Sequence, residues 1–243
     1  MRIIKLNAID STNSFLRQLS NEELVEDFTV VVTEHQTNGR GQMGTQWESQ
    51  DGKNLMFSVF KQVSGFDVTS HFYLSMAVSI AVFEALKTFQ INGLKIKWPN
   101  DILSEQQKLC GVLIENVIKQ NQLQSSIIGI GINVNQTIFN DLPNASSMQL
   151  ISGKHFNRDQ VLHEVLKQLE HYFSILDTKS YDLLKQAYET NLFRKDKPST
   201  FKDKEGHLFS GYIKGVSESG HLNVLIEDDI VKSYDLKELQ LLF

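Results

Sequence analysis

The sequence predicts an α+β protein in two parts: a mixed sheet with helices over residues 1–192, and a small β-barrel over residues 193–243. Strand-like and helix-like segments interleave up to about Leu192. After Phe193 the pattern changes to short strands, which are separated by Glu205-Gly206, Lys214-Gly215 and Ser219-Gly220. Regular turn signals between short strands are typical of a small barrel. A length of 243 residues with 41% hydrophobic content allows a sizeable core.

Apolar periodicity assigns the elements in chain order. Runs of β-branched and aromatic residues predict strands at IIKLNAI (3–9), FTVVVTEH (28–35), NLMFSVF (54–60), LKIKW (94–98), KLCGVLIENVI (108–118) and SSIIGIGINVN (125–135). A short helix is predicted between the first two strands, opening at DSTN (10–13). Spacings of three and four residues predict a buried helix from Val68 to Phe89, a long amphipathic helix over 156–176 and another helix over 181–191.

Composition excludes several classes of function. The net charge of −5 gives no general attraction for nucleic acid. The single cysteine, Cys110, rules out an internal disulfide and suits a reducing compartment. Neither the start, MRIIKLNAID, nor any later segment has the apolar length of a signal peptide or of a membrane span. We therefore expect a soluble, cytoplasmic protein without a membrane partner.

The segment KIKWPND joins two predicted strands. Pro99 fixes its own φ and favours an extended Trp98, so the strand should end there, with Asn100 and Asp101 in a tight connection. Turn-forming residues at a strand exit are a sufficient explanation for Pro-Asn-Asp alone. However, Lys97 ends this strand and Lys108 opens the next one, so two cations could converge on one rim.

Glycines interrupt two of the predicted strands. Gly111 in KLCGVLIE marks a bulge or a place where a ligand approaches the backbone. Its neighbour Cys110 is better explained as a small core residue than as a nucleophile. In GIGIN the third glycine of a dinucleotide-binding loop would fall at Val134, so that motif fails.

The segment GRGQMGTQW has two explanations. Gly39, Gly41 and Gly44 permit a mobile loop, but they also allow backbone N–H groups to surround an anion while Arg40 adds a charged fork. Trp47 offers a flat surface for stacking a ring, or a core anchor. The serine and threonine of DSTN could simply cap the following helix.

In this order and with similar separations, DSTN, EHQTNGRGQMGTQW, KWPND, KLCGVLIE and GIGIN resemble the motifs of the biotin protein ligase family. The resemblance implies a class II synthetase-like catalytic domain of the biotin/lipoate ligase type, followed by an SH3-like barrel. It also implies a two-step reaction, in which biotin and ATP form biotinyl-5′-AMP and a carrier lysine then accepts biotin. Family repressors carry an N-terminal DNA-binding domain, whereas DSTN begins at residue 10 here, so we expect the monofunctional form and no DNA partner.

The resemblance also assigns residues. For biotin it implies Ser11, Thr12, Asn13, Gln36, Gly39, Arg40, Gly41, Gln42, Lys108 and Gly111. For ATP and the adenylate it implies Arg40, Trp47, Lys97, Asn100, Asp101, Lys108 and Asn133. Lys108 and Arg40 are the expected catalytic residues. No protein metal ligand is assigned, although Mg²⁺ is expected with ATP. The expected acceptor is the biotin carboxyl carrier domain of a carboxylase, and the expected state is a monomer or homodimer.

One departure and three alternatives remain open. Many family members have basic residues where this loop has Gln42 and Thr45, which predicts that the adenylate is held less tightly. A lipoate protein ligase or octanoyltransferase shares the fold, but its RRxxGGG type of motif is absent. A noncatalytic ligand-binding module is disfavoured because Arg40 and Lys108 are both present. A small-molecule-dependent nucleic-acid binder rests only on the Gly-Arg-Gly triplet.

Overall fold

The computed structural model describes residues 1–67, 70–119, 122–140 and 142–243. Its strands are β1 (Arg2–Ile9), β2 (Thr29–Gln36), β3 (Leu55–Asp67), β4 (Leu94–Lys97), β5 (Asp101–Ser104), β6 (Gln107–Lys119), β7 (Gln122–Ile132), β8 (Pro198–Asp203), β9 (Leu208–Val216), β10 (Leu222–Leu225), β11 (Val231–Tyr234) and β12 (Leu239–Leu242). Its helices are α1 (Thr12–Glu22), α2 (His71–Thr88), α3 (Met148–Ser152), α4 (Arg158–Asp177) and α5 (Tyr181–Thr190).

The larger sheet has seven strands in the order β1-β2-β3-β7-β6-β5-β4. Strands β1 and β2 are parallel and the other neighbours are antiparallel, so the predicted mixed sheet is confirmed. Because side chains alternate between the faces of a strand, Val30 and Val31 enter different cores. Val30 joins the large core under α2, whereas Val31 joins the small core that packs against Leu16 of α1.

Helix α2 is buried on nearly all sides, as its sequence predicts. It packs against α4 and α5 and lies over the end of the sheet formed by β4 and β5. The amphipathic helix α4 buries Val165, Leu169 and Phe173 against the same core. None of the helices in the described residues has the length and apolarity needed to cross a bilayer.

The C-terminal strands form a separate antiparallel sheet in the order β11-β10-β9-β8-β12, as expected for the SH3-like part. Its β9–β10 hairpin is anchored on the larger part. The indole Nε1 of Trp98 donates to the carbonyl of Gly220 at 2.8 Å, and a Cβ on Gly220 would lie 2.4 Å from the ring of Phe72. The connection before β8 runs beside β4, where Phe193 N–H donates to Ile96 O at 2.8 Å.

Several details differ from the sequence prediction. Strand β5 was not predicted, and Asp101 is its first residue rather than part of the connection, which therefore spans 98–100. Helix α3 was also missed, because five residues are too few for a periodic signal. Helix α2 is 71–88, and positions 68 and 69 of the predicted helix lie outside the described residues. Strand β7 ends at Ile132, so Asn133 follows it.

Candidate active site

The glycine-rich segment after β2 is a folded loop. Gly41 N–H donates to Thr45 O at 2.7 Å, and Trp47 N–H donates to Gly39 O at 3.0 Å. A Cβ on Gly39 would lie 2.4 Å from Trp47 O, and one on Gly41 would lie 2.4 Å from Thr45 Oγ1. The glycines therefore permit close approach of the two sides of the loop. Of the glycine amides in the predicted anion nest, that of Gly41 is already paired within the loop.

Helix α1 begins under this loop. Ser11 caps the helix, since its Oγ accepts from Ser14 N–H, which confirms the capping role weighed from the sequence. Thr12 turns toward the end of β2, where its N–H and its Oγ1 lie 2.9 Å and 3.1 Å from Gln36 Oε1. Ser11, Thr12 and Asn13 are all buried. Capping therefore fixes the three polar side chains in one place.

A continuous chain of polar contacts runs from the end of β2, around the site, to the loop. Beyond Gln36 and Thr12, Ser58 Oγ lies 2.7 Å from Thr12 Oγ1 and 2.6 Å from Asn13 Oδ1. Asn13 Nδ2 donates to Glu115 Oε2 at 2.8 Å, and that oxygen also accepts from Arg40 Nη2 at 2.9 Å. We call these six residues the polar ring: Gln36, Thr12, Ser58, Asn13, Glu115 and Arg40.

Glycines on β6 and β7 form a flat floor beside the polar ring. Gly111 and Gly131 are direct cross-strand partners. A Cβ on Gly131 would lie 2.5 Å from Trp47 Cε2, and one on Gly111 would lie 3.0 Å from Trp47 Cζ3. The indole of Trp47 therefore lies flat on bare backbone. Gly129 makes similar room for Asn13, because its Cβ would lie 2.4 Å from Asn13 Oδ1.

The two cations predicted to share a rim do so. Lys108 Nζ lies 2.8 Å from Asp101 Oδ1, and both side chains are partly exposed. The backbone of Lys108 is held by a neighbouring segment, since its N–H donates to Asn144 O at 2.7 Å and its carbonyl accepts from Ser146 N–H at 3.0 Å. Burial lowers the pKa of Lys97 from its usual value; the charge of Lys108 lowers it further and Asp101 opposes the change.

Asn100 supports the loop from behind. It is buried, its Nδ2 donates to Val112 O at 3.3 Å, and its Oδ1 accepts from Gln42 Nε2 at 3.0 Å.

Cys110 is fully buried, and burial raises the pKa of its thiol. Its predicted role as a core residue is confirmed.

Two cavities meet at this site. The loop cavity has a volume of about 260 Å³ and is lined by Ser11, Thr12, Asn13, Gln36, Arg40, Gly41, Gln42, Trp47, Asp101, Lys108 and Gly111, among others. The interface cavity has a volume of about 740 Å³ and lies between the two sheets. Its walls include Lys97, Asn133, Phe139 and Leu142 from the first part, and Leu222 and Leu239–Phe243 from the second. The residues shared by both cavities are Gln42, Gln46, Trp47, Asp101 and Lys108.

The predicted residues therefore converge on the two cavities. Lys97 and Asn133 line only the interface cavity, whereas Gly39 and Asn100 line neither and instead support the loop.

Sequence reasoning missed Ser58, Glu115 and the cavity wall from β12. Glu115 carries a usable signal: it follows Gly111 and Leu113 at the two-residue period of one strand face. In the described residues, Asp203, Glu205 and His207 form a cluster of three possible metal ligands, and they line neither cavity.

Comparison with known proteins gives consistent matches. The model of the biotin/lipoate A/B protein ligase family matches residues 6–133. The chain is 29% identical over 237 residues to the bifunctional ligase/repressor BirA of Bacillus subtilis, covering 96% of this chain and 72% of that relative. It is 30% identical over 163 residues to the biotin--[acetyl-CoA-carboxylase] ligase of Mycobacterium tuberculosis, covering 66% and 59%. The structure of the biotin protein ligase from Aquifex aeolicus in complex with biotin and ATP superimposes with a TM-score of 0.82 at 30% identity, covering 99% and 98%.

Proposed function

We propose that this chain, which belongs to the biotin/lipoate A/B protein ligase family, is an ATP-dependent biotin protein ligase that forms biotinyl-5′-AMP and then biotinylates a carrier lysine. The observation that carries the proposal is the junction of the two cavities at Lys108 and Asp101. A ligand that fills the loop cavity and a nucleotide that fills the interface cavity would meet there, beside a fixed positive charge.

The loop cavity suits a compact polar head with an acyl chain. The polar ring presents amide and hydroxyl groups of Thr12, Asn13 and Gln36, which can pair with the donors and acceptors of a ureido group. Trp47 and Val112, which line the same cavity, provide apolar surface for the chain that leads to the carboxylate. We assign biotin to this cavity, with its carboxylate directed toward Lys108.

In the first step, a biotin carboxylate oxygen bonds to the α-phosphorus of ATP while the bond from that phosphorus to the bridging oxygen breaks and pyrophosphate leaves. Negative charge grows on the α-phosphate oxygens, and Lys108 is placed to stabilise it. Arg40, on the loop over the same cavity, adds a second positive charge. We propose these two as the catalytic residues, because both adjoin the place where the reacting atoms would lie.

The interface cavity is the proposed nucleotide site. Phe139 and Leu142 give apolar surface for the purine, with Asn133 and Lys97 as polar contacts. Asp101 and Glu48 place carboxylates on its wall, and carboxylate with phosphate oxygens is the donor set that Mg²⁺ prefers. We propose that Asp101 would hold the Mg²⁺ that accompanies ATP, and the ion would neutralise triphosphate charge.

In the second step, the carrier's lysine amine bonds to the biotinyl carbonyl carbon, AMP leaves with the bond electrons, and the amine proton is released. We propose the biotin carboxyl carrier domain of a carboxylase as acceptor.

A monomer or homodimer is proposed because β1 is an open sheet edge. The single buried cysteine, Cys110, suits a cytoplasmic location. We keep 1–192 and 193–243 as the proposed domains.

Pyrophosphate exchange into ATP tests the first step with the purified chain. We expect exchange that depends on biotin and is absent without an added acid. Exchange with lipoate alone would assign the chain to the lipoate branch of the family. Exchange with neither acid would refute the ligase proposal. A carrier domain and its variant lacking the acceptor lysine then test transfer, with labelled biotin expected only on the first.

A further inference from the structure

Glu115 gathers positive charge and polar groups beside the loop cavity without lining it. Its Oε1 lies 3.3 Å from Arg17 Nη2 on α1, and its Oε2 lies 2.9 Å from Arg40 Nη2 on the loop. The same Oε2 accepts from Asn13 Nδ2 at 2.8 Å. The side chain of Glu115 is 19% exposed, against 45% for Arg17 and 39% for Arg40. The carboxylate is therefore the enclosed member of the cluster, and the two arginines reach it from solvent.

These contacts tie together elements that are distant in the chain. Asn13 belongs to the start of α1, Glu115 to the far half of β6, and Arg40 to the loop after β2. Through Ser58 and Thr12 the polar ring returns to Gln36, at the end of the strand from which the loop departs. Both ends of the loop's first section are therefore held by one network, and Glu115 is its sole anionic member.

The carboxylate of Glu115 keeps two positively charged side chains in place beside the loop. Arg17 and Arg40 each approach one oxygen of the same carboxylate, so both guanidinium groups lie close to one anion. With the carboxylate present, Arg40 has a charge-assisted hydrogen bond and Arg17 has an ion pair. Without it, two like charges remain at short range, and the loop arginine is the more easily displaced because the other is carried on a helix. The same loss leaves the buried amide of Asn13 with only its longer contact, in which Nδ2 donates to Leu113 O at 3.3 Å.

We propose that Glu115 is a positioning residue that holds the glycine loop closed over the loop cavity. It acts through Arg40, which it keeps against α1, and through Asn13, which it orients toward the cavity. This inference rests on the proposed function for its effect on biotin, but the closing of the loop can be measured without any ligand. Glu115 thereby sets how long the loop retains whatever the cavity binds.

The test compares the parent with Glu115→Gln, which keeps the size of the side chain and removes its charge. Trypsin cleavage after Arg40, followed by mass spectrometry under native conditions, reports loop opening without ligand. We expect this cleavage to become about tenfold faster in Glu115→Gln, and biotin dissociation to accelerate by about the same factor, because a charge-assisted contact is lost. Arg17→Ala is the matched control: it removes the other arginine from the same carboxylate, and we expect both rates to stay within about twofold, since exposed pairs contribute little.

The double variant Arg17→Ala/Glu115→Gln separates positioning from general stability. If repulsion between the arginines opens the loop, removing Arg17 should return the cleavage rate at Arg40 part of the way to the parent value. A general loss of stability would instead speed cleavage at many sites and lower the melting temperature, and Arg17→Ala would not reverse it. Unchanged cleavage and unchanged biotin dissociation in Glu115→Gln would overturn the inference, even while the parent shows biotin-dependent exchange. Absence of that exchange in the parent would instead count against the proposed function.

Discussion

Replacing Lys108 by alanine should slow adenylate formation by about 10²-fold, about 2.7 kcal/mol of transition-state stabilisation. The side chain lines both cavities, and its ammonium lies 2.8 Å from Asp101. A full unit charge about 4 Å from a phosphate charge, at an effective dielectric constant of about 20, contributes about 4 kcal/mol. The stabilisation expected from Lys108 is smaller than this, because its side chain is 38% exposed and because only part of the phosphate charge develops in the transition state.

Stability should change far less than activity. The partly exposed pair of Lys108 with Asp101 contributes about 0–1 kcal/mol, so the melting temperature should fall by no more than about 4 °C for a chain of this size. The assay is biotin-dependent exchange of pyrophosphate into ATP at saturating biotin and ATP. Lys108→Arg, which keeps the positive charge, is the matched variant and should lose less than about tenfold. Exchange by Lys108→Ala within threefold of the parent would remove Lys108 from the mechanism.

Three further changes probe the loop, the floor and the nucleotide cavity. Gln42→Arg adds one of the missing loop cations and should lower the release of free biotinyl-adenylate, measured by trapping the intermediate, by about tenfold. Gly131→Ala places a methyl group 2.5 Å from Trp47 Cε2, which should shift the indole fluorescence and slow exchange by about tenfold, the lower range for overpacking. Burial lowers the pKa of Lys97, so this side chain should lose its charge at a lower pH than an ordinary lysine does. Affinity for ATP should therefore decline as the pH rises through that range, and Lys97→Arg should abolish the decline.

Each of these has an outcome that contradicts it. Equal release of adenylate from the parent and Gln42→Arg, or no leakage from the parent, would show that the loop needs no second cation. A Gly131→Ala variant with parental fluorescence would mean that Trp47 does not rest on the floor. The same pH profile in Lys97→Arg would exclude Lys97 as the titrating group. Lys97 also affects stability. Below its lowered pKa the partly buried charge decreases the free energy of unfolding, and this decrease is relieved as the pH rises through that pKa.

Much of this architecture follows from local patterns. The long strands and helices have clear periodicity. Lys97 ends one predicted strand and Lys108 opens the next, which predicts that the two cations share a rim. Strand β5 escaped prediction because it has only four residues and follows directly on turn-forming ones. The polar environment of Ser58 was also hidden, since a serine within an apolar strand gives no local sign of what it faces.

The remaining features depend on strand order, which sequence periodicity does not encode. Glu115 meets Asn13 and Arg40 only because β7 pairs with β3, and β6 pairs with β7, in the middle of the sheet. In the same way, the apolar residues Leu239, Leu241, Leu242 and Phe243 look like core residues in the sequence. Docking of the second sheet makes them a cavity wall.

That shared wall has a consequence for inhibitor design. A compound confined to the loop cavity would depend on the polar ring and the glycine floor, which serve the binding of a common small molecule. A compound extended into the interface cavity would also touch Leu239–Phe243, a surface that the shared chemistry does not dictate. Selectivity between this chain and other ligases should therefore be sought at the end of the molecule that reaches β12.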